Sequence, residues 1–201
     1  MTYNLKHLSS EIISKAIELA RELDDYAGRP AWEQAMEKAI THVLDNNHHG
    51  LDTDTHVYFY VQEFYVLSNF SSFSLVWEGE YFATSEHAYH WAKFKDNEPE
   101  IALAIKSTPS AHDAFKLARL LGDRKRPDWE DVKIDIMRLI LLAKARQHDY
   151  VYKKLMETGD RILVENSWRD SEWGWGPNKD GKNLLGKLWM EARTILRHFN
   201  E

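Results

Sequence analysis

Residues 75–95 run Leu75-Val76-Trp77-Glu78-Gly79-Glu80-Tyr81-Phe82-Ala83-Thr84-Ser85-Glu86-His87-Ala88-Tyr89-His90-Trp91-Ala92-Lys93-Phe94-Lys95. The hydrophobic period changes within this stretch. Leu75–Trp77 and Glu80–Phe82 read as two short strands around a tight Glu78-Gly79 turn, where glycine permits a positive φ. Thr84 or Ser85 then stands where a helix N-cap belongs, and a helix is predicted through about Lys95. A hairpin that hands over directly to a helix points to an α+β chain.

The surrounding sequence extends that reading. Upstream, Val57-Tyr58-Phe59-Tyr60-Val61 is aromatic and β-branched, as a strand is. Downstream, helices are predicted near 98–106, 110–121, 129–147 and 149–157. In the third of these, Ile134, Met137, Ile140, Leu141 and Lys144 mark one face, read as core. Arg161–Asn166 is predicted as a strand, and a glycine-rich loop, 174–183, leads into a last helix from Leu184 to about Phe199. Before all of this, residues 10–27 and 31–45 carry two amphipathic patterns separated by Gly28-Arg29-Pro30, the signature of a helical hairpin. The predicted fold class is α+β, mainly helical with a small β-sheet, preceded by an N-terminal helical hairpin. The domains are residues 1–56, an N-terminal helical extension, and residues 57–201.

Composition excludes several classes of chemistry. The 201 residues are 43% hydrophobic, enough for a packed core, and contain no cysteine. Disulfide frameworks, thiolate metal sites and cysteine nucleophiles are therefore excluded. No apolar run approaches the roughly 18 residues of a membrane span, and Met1–Ile13 lacks a basic segment followed by an apolar stretch. A cytoplasmic protein without a membrane partner is expected. The net charge of -6 is unevenly placed. Residues 1–56 hold five Lys/Arg against ten Asp/Glu, which leaves 21 against 22 for the remainder. A near-neutral main domain argues against a general nucleic-acid binder, although Arg119, Arg124, Lys125, Arg126 and Lys133 form a local basic island.

Three motifs invite chemistry. Gly176-Pro177-Asn178-Lys179-Asp180-Gly181-Lys182-Asn183 has phosphate-loop spacing, but Asn183 replaces the hydroxyl residue that would bind magnesium, and the nearest strand ends about eight residues earlier. Glu86-His87-Ala88-Tyr89-His90 scrambles the zinc-protease pattern. No third ligand can be named, so no metal is assigned here or to His48, His49 and His56. Glu86 itself falls in the first turn of a predicted helix, where the positive end of the dipole should favour its ionised form. A last cluster comprises Thr158-Gly159-Asp160, Glu165, Asp170 and Trp173-Gly174, with Asp170 on a loop after a strand, a common place for site residues.

Taken in order, Asn69-Phe70-Ser71, Phe82-Ala83-Thr84-Ser85-Glu86-His87, Lys93-Phe94, Arg126-Pro127-Asp128-Trp129, Lys133, Met137, the cluster from Thr158 to Gly176, and Gly181–Gly186 with Met190 and Arg193 resemble the YbiA-like, or NADAR, family. The resemblance covers about residues 57–199. It implies an N-glycosidase that hydrolyses the bond between a nitrogen base and ribose 5-phosphate in early riboflavin-pathway intermediates. Some members instead remove ADP-ribose from modified guanine in nucleic acid, and a non-catalytic ADP-ribose or NAD binder is a third reading. No metal or organic cofactor is implied. The expected partner is a small phosphorylated N-riboside, with nucleic acid if ADP-ribosylated guanine is the substrate, and an unknown partner for the front helices.

Cleavage at C1′ needs a carboxylate facing oxocarbenium-like charge, a positioned water and donors for the leaving base. Glu86 is the first candidate for the carboxylate. Asp170 is the second, as water activator or ribose-hydroxyl ligand. Phe70 and Trp173, beside Gly174, can stack the base, and Asn69 and Asn183 can supply amide hydrogen bonds. Lys93, Arg126 and Lys133 are candidates for phosphate or leaving-group contacts. Trp129 is either a helix-to-sheet seal or a wall of the site. Trp175, inside the glycine loop, departs from the family pattern and bears on substrate size and access.

Because the resemblance starts at residue 57, deletion of residues 1–55 is expected to leave a protein with a cooperative thermal melt. A melt that vanishes on deletion would make the front segment part of the core.

Overall fold

The computed structural model describes residues 52–60 and 62–198. The helices expected at 10–27 and 31–45 lie outside the described residues. Strand β1 (His56–Phe59) is followed by two short 3-10 turns across Gln62–Leu67 that kink at Phe64. The hairpin comprises β2 (Leu75–Trp77) and β3 (Glu80–Phe82). Then come α1 (Ser85–Ala92), α2 (Pro99–Lys106), α3 (Ala111–Leu120), α4 (Trp129–Gln147), α5 (Asp149–Glu157), β4 (Ile162–Glu165) and α6 (Leu184–His198). The fold is α+β and mostly helical, as the periodicity requires. Among the described residues, however, the strands form two sheets rather than one.

The hairpin forms where the turn residues place it, with Leu75 opposite Phe82 and Trp77 opposite Glu80. Both turn residues take positive φ, Glu78 at 50° and Gly79 at 79°. That pair of angles suits the right-handed twist of a two-residue hairpin, so Glu78 accepts a left-handed conformation that only Gly79 was expected to adopt. The outer edge of β2 is met by a side chain. Val76 N donates to Gln147 Oε1 at 2.7 Å, and Gln147 Nε2 donates to Val76 O at 2.8 Å.

The second sheet pairs β1 with β4 in parallel, Val57 opposite Leu163 and Phe59 opposite Glu165. Two parallel strands cannot be joined by a tight turn, and here every helix from α1 to α5 intervenes. Val57, Phe59 and Leu163 are fully buried, and α6 packs on β4. The approach is close because residue 186 is glycine: a Cβ there would collide with the Leu163 carbonyl oxygen. Trp189 Nε1 donates to Leu67 O at 2.7 Å and ties α6 to the turns after β1.

Helix α1 runs through the middle of these layers. Thr84, in extended conformation, is its N-cap and accepts from His87 N at 3.3 Å. Seven of its eight residues are buried, among them Glu86, His87 and His90. Helix α4 contributes the face predicted for it, with Met137, Ile140 and Leu141 in the main core and Ile134 packed at its margin. Lys144, on the same stripe, is fully buried as well. A smaller core of Phe94, Ile101, Ala102, Ile105, Ala114 and Ala118 joins α2 and α3. No helix among the described residues is long and apolar enough to cross a membrane.

Gly186→Ala should lower stability by about 1–3 kcal/mol, the usual effect of overpacking, read as a reduced midpoint in urea unfolding. An unchanged midpoint would contradict the packing of α6 on β4.

Candidate functional site

A cleft of about 1160 Å³ opens between α1, the Ser68–Phe70 turn, the ends of α3 and α4, and the loop after β4. Nine of the residues singled out from the sequence line it: Glu86, Asp170, Asn69, Phe70, Lys93, Arg126, Trp129, Lys133 and Trp173. They come from four segments, 69–70, 86–93, 126–133 and 170–173, which together span about a hundred positions of the chain.

Two singled-out residues lie elsewhere. Asn183 does not line the cleft. Its Oδ1 accepts from Glu165 N at 2.9 Å and its Nδ2 donates to Leu163 O at 2.8 Å, so it pairs with β4 along the strand's open edge. Gly174 is buried and also lies off the cleft; a Cβ there would press on Glu165 O and Ser167 Cβ at 2.9 Å. Both residues shape the loop that carries Asp170 and Trp173, which places them behind the site rather than in it.

Glu86 stands on the first turn of α1, with its own amide donating to Asn69 O at 3.2 Å. Its Oε1 lies 2.7 Å from His90 Nε2, one helical turn on. Burial holds His90 below the usual imidazole value, although Glu86 pulls it upward. The neutral ring therefore donates Nε2–H to Glu86, which leaves the buried Nδ1 as a bare acceptor. Asp170 is fixed differently: its Oδ1 accepts from Glu172 N at 2.8 Å and Trp173 N at 2.9 Å, a turn closed by its own side chain.

Three buried polar atoms on the cleft have no hydrogen-bond partner: Asn69 Oδ1, His90 Nδ1 and Glu165 Oε2. Leaving such a group unpaired costs about 1–3 kcal/mol each, so three in one cavity mark a place built for a polar ligand. Two of them are acceptors and call for N–H or O–H donors. Glu165 ends β4, and burial pushes its carboxyl well above the ordinary range, with the charges of Asp170 and Glu86 adding to burial and Lys144 opposing.

Aromatic rings form the other wall. Tyr89 meets Trp129 at 4.9 Å and Trp173 at 5.3 Å, both edge-on. Trp129 is thus at once buried packing and cleft lining. The Lys93 ammonium lies 4.9 Å from the Tyr89 ring centre and 5.4 Å from that of Trp129. Burial lowers it to about 8, against the pull of Glu86. Other cations of the basic island are engaged: Arg126 with Asp96 and Asp128 at 2.7 and 2.6 Å, Lys133 with Glu130 and Glu172 at 2.6 and 2.8 Å, and Arg124 with Glu98 at 2.6 Å.

The remaining motifs are spent on structure. In the GxxxxGK-spaced loop, the amides of Gly176, Gly181, Lys182 and Asn183 donate to Ser167, Trp175, Ser171 and Gly174 carbonyls at 2.7–3.0 Å, so none of these four is turned to a phosphate. His87 contacts Thr84 Oγ1 at 2.8 Å and Thr108 O at 3.1 Å. Thr158 accepts from Arg193 at 2.7 Å and Asp160 from Arg197 at 2.6 Å, a corner away from the cleft. Trp175 donates to Asn166 Oδ1 at 3.0 Å and packs on Tyr58 at 4.9 Å, so it leaves the cleft open. Conversely, Tyr60, Tyr89, His90, Glu165 and Arg169 line the cleft without having been assigned to it. The spacing of Glu86 and His90, four apart on one helical face, carried the signal for His90.

Comparison with known proteins finds relatives over the same part of the chain. The NADAR domain model matches residues 58–197. An N-glycosidase of Nostoc punctiforme is 39% identical over 145 residues, covering 71% of this chain and 93% of the relative. N-glycosidase YbiA of Escherichia coli is 34% identical over 160 residues, covering 78% and 93%. The NMR structure of E. coli YbiA superposes with a TM-score of 0.67 at 33% identity, over 74% of this chain and 89% of that one.

The buried acid and the buried base should impose opposite slopes on stability. Glu165 holds its proton in the folded state above 4.5, where the unfolded chain has released it, so its contribution falls as pH rises through that window. Lys144 is lowered by burial from 10.5 to about 7, so the unfolded chain binds more protons between those values and stability rises with pH there. A Lys144→Met variant should therefore show a flatter melting-temperature profile between pH 7 and 10 than the parent. Parallel profiles would show that Lys144 stays fully charged in the fold.

Proposed function

The chain belongs to the NADAR domain family, and on that footing we propose that it is an N-glycosidase acting on a small phosphorylated N-riboside, a nitrogen base joined to ribose 5-phosphate as in early riboflavin-pathway intermediates. The observation that carries this reading is the pair of bare acceptors, Asn69 Oδ1 and His90 Nδ1, on a cleft that also holds Glu86 and Asp170. An amino-substituted nitrogen base offers the N–H donors those acceptors lack. A relative from Vibrio vulnificus, 34% identical over 131 residues, is named a riboflavin biosynthesis protein, and this chain spans 35% of it.

In this reading the base stacks against Phe70 or Trp173, each such contact worth about 1–3 kcal/mol. That orients the substrate without lowering the barrier by itself. The Glu86 carboxylate, held in one orientation by His90, faces C1′ as positive charge develops there. Asp170 has one oxygen tied to the loop amides and offers the other to the attacking water or a ribose hydroxyl. Lys93 is the cation for the phosphate, because no carboxylate lies within ion-pair distance of it among the described residues, whereas Arg126 and Lys133 are already paired. The chemistry uses carboxylates, water and aromatic faces. The site of action we place in the cytoplasm, which suits a chain without cysteine.

Purified protein incubated with a ribosylaminopyrimidine 5-phosphate should release free base, followed by mass spectrometry. Glu86→Gln should lower the rate by about 10²–10⁴-fold, and Asp170→Asn should lower it too. ADP-ribosylated guanine in an oligonucleotide and NAD serve as competing substrates. Release of base from the oligonucleotide alone would replace the small N-riboside with the nucleic-acid substrate, and tight ADP-ribose binding with no release from any would make the protein a binder.

A further inference from the structure

Glu165 is not needed by the steps described so far, yet it is the most anomalous group on the cleft. It ends β4, fully inside the protein, and Asn183 fixes its backbone amide at 2.9 Å. Its backbone is held as well by Trp175 N, which donates to its carbonyl at 3.2 Å, and Phe59 stands opposite it in the sheet. Its Oε2 has no hydrogen-bond partner. A buried carboxylate would be expected to recruit a donor; a carboxylic acid lacks only an acceptor, which a bound base can supply.

From the orphaned oxygen, its burial and its place on the same cleft as Glu86 and Asp170, we propose that Glu165 is a neutral carboxylic acid and the proton donor to the departing base. The charged and titratable groups facing it come from every neighbouring element. Lys144 acts on it from α4, Glu86 from α1 and Asp170 from the loop after β4, while Tyr60 and Tyr65, in the segment after β1, feel its charge, Tyr60 that of Arg169 as well. Burial, with the charges of Asp170 and Glu86 adding to it, keeps the proton on Glu165 before reaction. After it, Lys144, which keeps its proton up to about pH 7, favours the new carboxylate and eases the loss of the proton.

The step balances with water as the only other reactant. The C1′–N bond breaks, and its electron pair goes to the base nitrogen. That nitrogen, or a ring atom conjugated to it, takes the Glu165 proton. Water oxygen bonds to C1′, and the proton it loses passes to Asp170 or Glu86 and then to solvent, from which Glu165 is recharged. Free ribose 5-phosphate and the neutral base, now carrying one N–H more, result. This assignment rests on the N-glycosidase reading above and adds the identity of the acid.

The test uses the full-length protein, Glu165→Gln and Glu165→Met, with a melt recorded for each. Infrared difference spectra of parent minus Glu165→Gln at neutral pH should show the carbonyl stretch of a protonated carboxylic acid. This readout needs no substrate, so its absence overturns the proposal while leaving the enzyme class intact. With ribosylaminopyrimidine 5-phosphate, Glu165→Gln should reduce kcat by about 10²–10⁴-fold with KM changed less than tenfold, and the alkaline limb of the parent's kcat profile should disappear. Glu165→Met should behave alike, which keeps the test standing if one variant folds poorly. Full turnover in either folded variant, or a loss confined to KM, assigns Glu165 to packing and ends the proposal. No base released by the parent protein would instead overturn the enzymatic reading itself.

Discussion

One ammonium with no access to water sets the geometry of both sides of the cleft. Lys144 donates to Ser68 O at 2.9 Å and to Ser71 Oγ at 2.7 Å, and Ser71 Oγ in turn donates to Val66 O and Ser68 O at 3.0 and 2.8 Å. The turn so held carries Asn69 and Phe70 and, through Asn69 O, receives the first-turn amide of Glu86 on α1. The bonds offset part of the large desolvation penalty of a buried cation, and what they leave uncompensated lowers Lys144 to about 7. A hydrophobic residue at 144 would pack, but it would not specify where the turn sits.

The same economy explains why the site is stable enough to exist. Buried polar atoms without partners, an uncharged acid and an imidazole kept neutral all lower the stability of the empty protein. The surrounding structure compensates with a main core that includes Phe59, Leu67, Phe82, Leu141 and Trp189. Local inconsistency concentrated on one cavity, with the remainder of the fold consistent, is the pattern expected of a functional site.

Most elements could be read from the chain because their signals are local. The hairpin turn, the cap at Thr84 and the apolar stripe of α4 each depend on residues a few positions apart. The division into two sheets could not be read in this way, because the pairing of β1 with β4 joins segments about a hundred residues apart and depends on α6 closing over them. The site divides along the same line. Glu86, Asp170 and the aromatic residues carry chemistry in their side-chain types. Asn183 looked equally polar, but its amide serves the edge of β4, and only the fold tells a strand-edge amide from a ligand-binding one. Glu165 was visible in a motif, and its role hinges on burial, which no local pattern reveals.

Gln147 closes a different opening. A two-stranded hairpin ordinarily presents a row of free amides and carbonyls to any passing extended chain. At Val76 both groups are already occupied by one side-chain amide from the end of α4. The molecule therefore carries its own stopper against strand addition on that side, with a single carboxamide standing where a neighbouring polypeptide would begin to zip. Protection from runaway self-association on that flank thus comes from the final turn of a helix whose other residues serve the core.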